Sequence, residues 1–101
     1  HSYFQLFHQG PEVIPIDFIA VRKPMSNRPE ATAHHRILLS NCLAQAQALA
    51  HGKYANNPND VYPGKRPSNL LLLPELNAYY LGALLALYEN LAATLVLINQ
   101  V

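Results

Sequence analysis

The stretch from Leu76 to Val101 constrains this chain more than any other part of it, because its only charged residue is Glu89. Its main helical face carries Leu76, Leu81, Leu84, Leu85, Tyr88, Leu91, Ala92 and Leu95, and Ala83, Ala86 and Leu87 make the other faces apolar as well. Pro74 and Glu75 suit a first turn. A helix that is apolar all round either spans a membrane or is covered by protein on every side. A span needs about 20 mostly apolar residues, and the length is sufficient. Against it stand Asn77, Tyr79, Tyr80 and Asn90, the carboxylate of Glu89 near the middle, and flanks without a basic cluster. Burying that carboxylate in lipid would cost about 2.5 kcal/mol or more. A buried soluble helix is the better reading. A chain of 101 residues cannot surround such a helix by itself, so much of its surface is expected to meet other protein.

The charge content agrees. Only 13% of residues are charged, and 50% are hydrophobic, against about 25% charged in an ordinary globular domain. This composition excludes intrinsic disorder. The single cysteine, Cys42, excludes a disulfide scaffold. A net charge of +1 gives no electrostatic reason to expect nucleic acid. The chain opens without an initiator methionine or a signal pattern, and it closes inside an apolar run. Both ends read as cut, so residues 1–101 are expected to be a single partial domain excerpted from a longer chain.

The elements alternate. Tyr3, Phe4, Leu6 and Phe7 form the apolar side of a helix end that Gly10 and Pro11 stop. Val13 to Val21 is β-branched and predicts a strand, with Pro15 near its start and Asp17 as its odd polar residue. A loop with Pro24 and Pro29 follows. From Glu30 or Thr32 the spacing is helical, with Thr32 as N-cap, an apolar stripe through Leu38, Leu39, Cys42, Leu43, Ala46, Leu49 and Ala50, and Gly52 as the stop. Residues 54–69 are a loop rich in proline and asparagine. Leu70 to Leu73, bounded by Asn69 and Pro74, predicts a short buried strand. Helix–strand–helix–strand–helix is the order of an α/β fold with a parallel sheet.

The chemistry-bearing residues are scattered. His34 and His35 sit about 100° apart on a helix and cannot hold one ion from one face. No His or Cys spacing matches a metal motif, so no metal is expected. Cys42 lies on the apolar stripe and reads as a small core residue rather than a nucleophile. Asp17 needs a partner and reads as a structural anchor. His8 suits the C-terminal end of the first helix, with a catalytic base as the lesser reading. Gly64, Lys65 and Arg66 lack the spacing of a phosphate loop, so Arg66 is expected to pair with a carboxylate or a carbonyl. Arg22, Lys23 and Arg28 form a basic group in the first loop, suited to a phosphorylated ligand or simply solvated.

Five strings, in this order, carry a resemblance: HSYFQLFHQG, IPIDFIA, HHRILLSNCLAQAQALAHGK, PGKRPSNLLLL and YYLGALLALYE. Together they resemble the glucose-6-phosphate isomerase family across nearly the whole chain. The resemblance implies part of the second sugar-isomerase (SIS-type) domain, a parallel-sheet α/β sandwich with long buried helices. It implies aldose–ketose isomerisation of glucose 6-phosphate and fructose 6-phosphate, a step of glycolysis and gluconeogenesis, in a cytoplasmic homodimer. It further implies a sugar phosphate as substrate, no metal or other cofactor, and neither nucleic acid nor membrane as partner. The family's catalytic carboxylate precedes the residue matching His1, its Gln and Lys follow the one matching Val101, and its phosphate loop lies far upstream. The isolated chain is therefore expected to be inactive. One family residue, the ring-opening histidine, falls inside the chain. Counted back from His34 and His35 its place is taken by Arg28; counted forward from Phe18 it falls near Met25 or Ser26. Arginine stays protonated, so Arg28 suits holding a phosphate or oxyanion rather than moving a proton. Arg28, and a Tyr54–Tyr62 loop much shorter than the family's, leave a second reading: a non-catalytic dimerisation or interaction module built on the isomerase scaffold.

Overall fold

The computed structural model describes residues 3–100; His1 and Ser2 of the opening string, and Val101 at the end of the apolar run, lie outside them. Helix α1 (Phe4–Gln9) leads to strand β1 (Ile16–Val21), helix α2 (Pro29–His51), a 3-10 turn (Pro58–Asp60), strand β2 (Ser68–Leu73) and helix α3 (Ala78–Asn99). β1 and β2 pair in parallel, in register from Ile16 opposite Ser68 to Val21 opposite Leu73. The expected α/β unit with a parallel sheet is present.

Prolines and caps set where the elements begin. Each strand starts directly after a proline, Pro15 or Pro67, whose missing N–H keeps it out of the ladder. α2 starts at Pro29, just before Glu30 and Thr32, the two expected starts. Arg28 is the N-cap residue, in extended conformation, and Pro29 takes the first helical position, where its fixed φ costs nothing. Thr32 lies within that first turn and donates its hydroxyl to the Arg28 carbonyl at 3.2 Å. α3 begins at Ala78 rather than at Pro74, because the Asn77 side chain accepts from the Tyr80 N–H at 2.9 Å. Glu75 instead holds the Asn77 amide at 2.7 Å, outside the helix.

The C-terminal end of α2 is fixed by a backbone crossing. Gly52 has φ +71° and lies against the Tyr62 carbonyl and the Gly64 nitrogen, leaving no room for a Cβ. Lys53 and Tyr62 exchange both backbone hydrogen bonds at 2.9 Å, closing the intervening loop.

Little of the apolar surface is covered. Ala20 and Leu49 are the buried hydrophobic residues among those described. α2 turns His35, Leu39, Cys42, Ala46 and Leu49 inward at alternating steps of four and three, whereas Leu38 and Leu43 from the same sequence stripe are 56% and 55% exposed. β1, apolar apart from Asp17, buries only Ala20. α3 is partly covered at Tyr80, Leu84 and Tyr88, and no residue of it is buried. The two long helices are present, and this chain supplies only a fraction of the cover their sequences call for. The molecule is a slab of 52 × 47 × 20 Å with a radius of gyration of 17.1 Å, against about 13 Å for a compact chain of this length.

Candidate functional site

The carboxyl ends of the two strands carry the loop that holds Arg28. The ladder runs past the strands, with the Arg22 N–H donating to Leu73 O at 2.8 Å and the Lys23 N–H to Pro74 O at 3.2 Å. Lys23 and Glu75 approach to 3.6 Å across the same end. Loop 22–28 then turns into α2 through Ser26, whose Oγ accepts the Arg28 N–H at 3.3 Å. His35 Nε2 lies 3.2 Å from the Arg22 carbonyl, which can only accept, so this nitrogen carries the proton. Beside the loop opens a cleft of about 540 Å³, walled by Ala20, Lys23, Ser26, His34, His35 and Cys42 among others. Arg28, exposed at the head of α2, stands near this cleft without lining it; Met25 and Ser26, the alternative positions for the histidine, both line it. In open α/β sheets the carboxyl ends of the strands are where ligands bind. Both adjacent histidines line this cleft, His35 half-buried with its Nε2 on a backbone carbonyl and His34 exposed.

At the opposite, amino end of the sheet stand the polar anchors. Asp17 accepts from Asn69 Nδ2 at 3.1 Å and from the Tyr88 hydroxyl at 2.9 Å, joining β1, β2 and α3. The expected structural anchor is thus in place, although Asp17 is exposed rather than buried. The hydrogen bond to Asp17 raises the Tyr88 phenol above the ordinary tyrosine range, with desolvation and the Asp17 charge adding to it. Arg66, 6% exposed, donates to three backbone carbonyls, as its sequence context predicts: Phe7 at 3.0 Å, Glu12 at 3.3 Å and Gly10 at 2.7 Å.

Sequence reasoning missed the partners of the first helix. His8 does not cap α1; its Nε2 meets Gln45 Oε1 at 3.1 Å and its ring stands edge-on to Tyr62 at 5.4 Å. Gln9 donates to the carbonyls of Asn59 and Val61, each at 3.0 Å. The available signal was Gln45, polar and off the apolar stripe of α2. Among the described residues no group of three His, Cys, Asp or Glu side chains is placed to hold a metal ion.

The model of the family described as phosphoglucose isomerase matches residues 1–101. The chain belongs to that family. It is 48% identical, over 89% of its length, to a glucose-6-phosphate isomerase of Dechloromonas aromatica, and covers 19% of that protein. A glucose-6-phosphate isomerase of Stenotrophomonas maltophilia is also 48% identical, over 90 residues, with 17% of its length covered. The crystal structure of a glucose-6-phosphate isomerase from Chlamydia trachomatis superposes with a TM-score of 0.71 at 34% identity, over 88% of this chain and 18% of that one. The chain thus spans about a fifth of the length of the relatives it matches. The two relatives differ over one expectation, since the Dechloromonas alignment takes 101 positions for 89% of this chain and so carries insertions, whereas the Stenotrophomonas one does not. The 90 residues of the latter make up 89% of this chain, so the match is almost free of gaps and must include Tyr54–Tyr62. A short loop at this point therefore occurs within the family.

Proposed function

We propose that this chain is a segment of an enzyme that interconverts glucose 6-phosphate and fructose 6-phosphate, drawn from the second, dimer-forming sugar-isomerase domain and inactive by itself. The observation that supports this most directly is the family match over all 101 residues. The reaction opens a sugar ring, moves a proton between C1 and C2 through an enediol, and stabilises the oxyanion that forms. A proton carrier needs a carboxylate or imidazole in reach of the substrate. Loop 22–28 itself supplies cations, beside the imidazoles of His34 and His35 that line the cleft, and Arg28 stands where the helix dipole of α2 adds positive potential. Its role is then to hold a phosphate or oxyanion, with the proton-moving carboxylate that the resemblance implies lying outside residues 1–101. The complete protein is assigned to the cytoplasm as a homodimer that takes a sugar phosphate, without nucleic acid or membrane as partner.

The decisive experiment is turnover of fructose 6-phosphate by the complete polypeptide beside the 101-residue chain alone. The reading expects activity in the first and none in the second; a turning-over isolated chain, or an inert complete one, overturns it. The non-catalytic module retains one specific support, Arg28 in the histidine's place, since the loop length no longer favours it. Arg28→His in the complete polypeptide separates the two. A gain of about tenfold or more in turnover fits an enzyme that has drifted at this position, and an unchanged zero fits the module.

A further inference from the structure

α1 has little local support beyond one side-chain pair, Gln5 Nε2 donating to Gln9 Oε1 at 3.0 Å, and His8 in its last turn. It is six residues long, its N-cap Tyr3 makes no side-chain cap bond, and no acidic residue lies in its first turn. Six residues are far below the length at which a helix persists in water. Its C-terminal end lacks the left-handed glycine that normally satisfies the last carbonyls: Gly10 has φ −62° and ψ 157°. The Gly10 N–H meets Leu6 O at 2.8 Å, and the next carbonyl, Phe7 O, is met from elsewhere in the chain. Arg66 Nη1 donates to Phe7 O and Glu12 O, and Nη2 donates to Gly10 O, while Nε has no partner among the described residues. The guanidinium is therefore spent on the end of α1 and the loop that leaves it. Its charge sits where the helix dipole is negative. Arg66 is itself held rigidly, because its N–H donates to Leu49 O at 3.0 Å and the Lys65 N–H to Ala50 O at 2.7 Å.

From this we infer that Arg66 is a positioning residue that acts as the C-cap of α1 from 59 residues away. α1 forms when the turn before β2 docks on the end of α2, and the placement of His8 and Gln9 follows from it. This role goes beyond the isomerase reading and stands or falls without it.

Amide exchange in the complete polypeptide tests it, with Phe7 and Gly10 as reporters, since their N–H groups close α1 onto Tyr3 O and Leu6 O. In Arg66→Met these amides should exchange about tenfold or more faster while those in the middle of α2 keep their rates. Arg66→Lys, which keeps the charge but not the fork, should recover part of the protection. Unchanged exchange in α1 overturns the inference. So does equal acceleration through α2 and β2, or unfolding of both variants, because Arg66 would then be a general core residue.

Discussion

At the scale of single residues, the positions that matter most are those where the backbone leaves no alternative. Gly52→Ala would place a Cβ against the Tyr62 carbonyl and 2.6 Å from the Gly64 nitrogen, at a φ of +71°. Both obstacles are backbone, so the crossing must open, and a loss of about 1–3 kcal/mol is expected in a denaturant titration of the complete protein. Tyr88 gives a pH dependence. Its phenol is raised in the folded state, chiefly by the hydrogen bond to Asp17, so the folded protein holds that proton more tightly than the unfolded chain does. The contribution is fully present below the ordinary tyrosine value of about 10 and is lost as pH rises through the raised value. Thermal midpoints measured upward from pH 9 should fall less steeply in Tyr88→Phe than in the parent; parallel curves would remove Asp17–Tyr88 from the account. The anchor role of Asp17 was legible in the sequence because an ionisable group among apolar neighbours demands a partner, and the carbonyl-seeking role of Arg66 because its loop lacks the spacing of a phosphate cradle. Which partners they take was not, since Asn69, Tyr88 and Gly10 come together only through the parallel pairing.

At the scale of elements, apolar runs and punctuation revealed the order of helices and strands, while the starts were missed by a few residues. The reason is local. Pro29 and Asn77 compete with Thr32 and Pro74 as starting signals, and the side-chain cap or the proline at the first position prevails over the weaker cue. Faces were harder to read than spans. The apolar stripe of α2 is wider than the sheet beneath it, so Leu38 and Leu43 fall outside the contact while His35 falls within it. α3 is the extreme case, because a helix apolar on all sides gives no clue to which side meets β1. Hydrogen bonding answers that through Tyr88. Tyr88 meets the sheet and Leu84, one turn before it, is half-buried, whereas Leu85 is 62% and Leu95 61% exposed in this chain. If the rest of the polypeptide covers that outer face, Leu85→Ala and Leu95→Ala should each destabilise the complete protein by about 2–4 kcal/mol in denaturant titrations. Losses below about 0.5 kcal/mol would show that the outer face is solvated there as well.

At the scale of the whole molecule, the two-stranded sheet, the thin slab and the uncovered helices describe a piece of a layered fold. α3 is long and apolar enough to cross a membrane by length and composition, with a mean hydropathy of 1.8, and none of that window is buried within the chain. The same helix falls inside the phosphoglucose isomerase match, and the chain spans about a fifth of such relatives, so on the proposed reading the rest of the enzyme covers its apolar faces. That account makes a prediction about the chain alone. Ala20 and Leu49 are too small a core to offset the conformational entropy of ordering about a hundred residues. Expressed by itself, the 11.2 kDa chain should therefore bury α3 against other copies of itself, as oligomers or aggregates in sedimentation velocity, without a cooperative melting transition. A monodisperse 11.2 kDa species that melts cooperatively would show that α3 folds back to build a core the slab does not have. Association that requires detergent to reverse, with α3 shielded by the micelle, would instead favour the membrane for this helix. Dissociation on adding the remainder of the polypeptide would identify its cover as the rest of the isomerase.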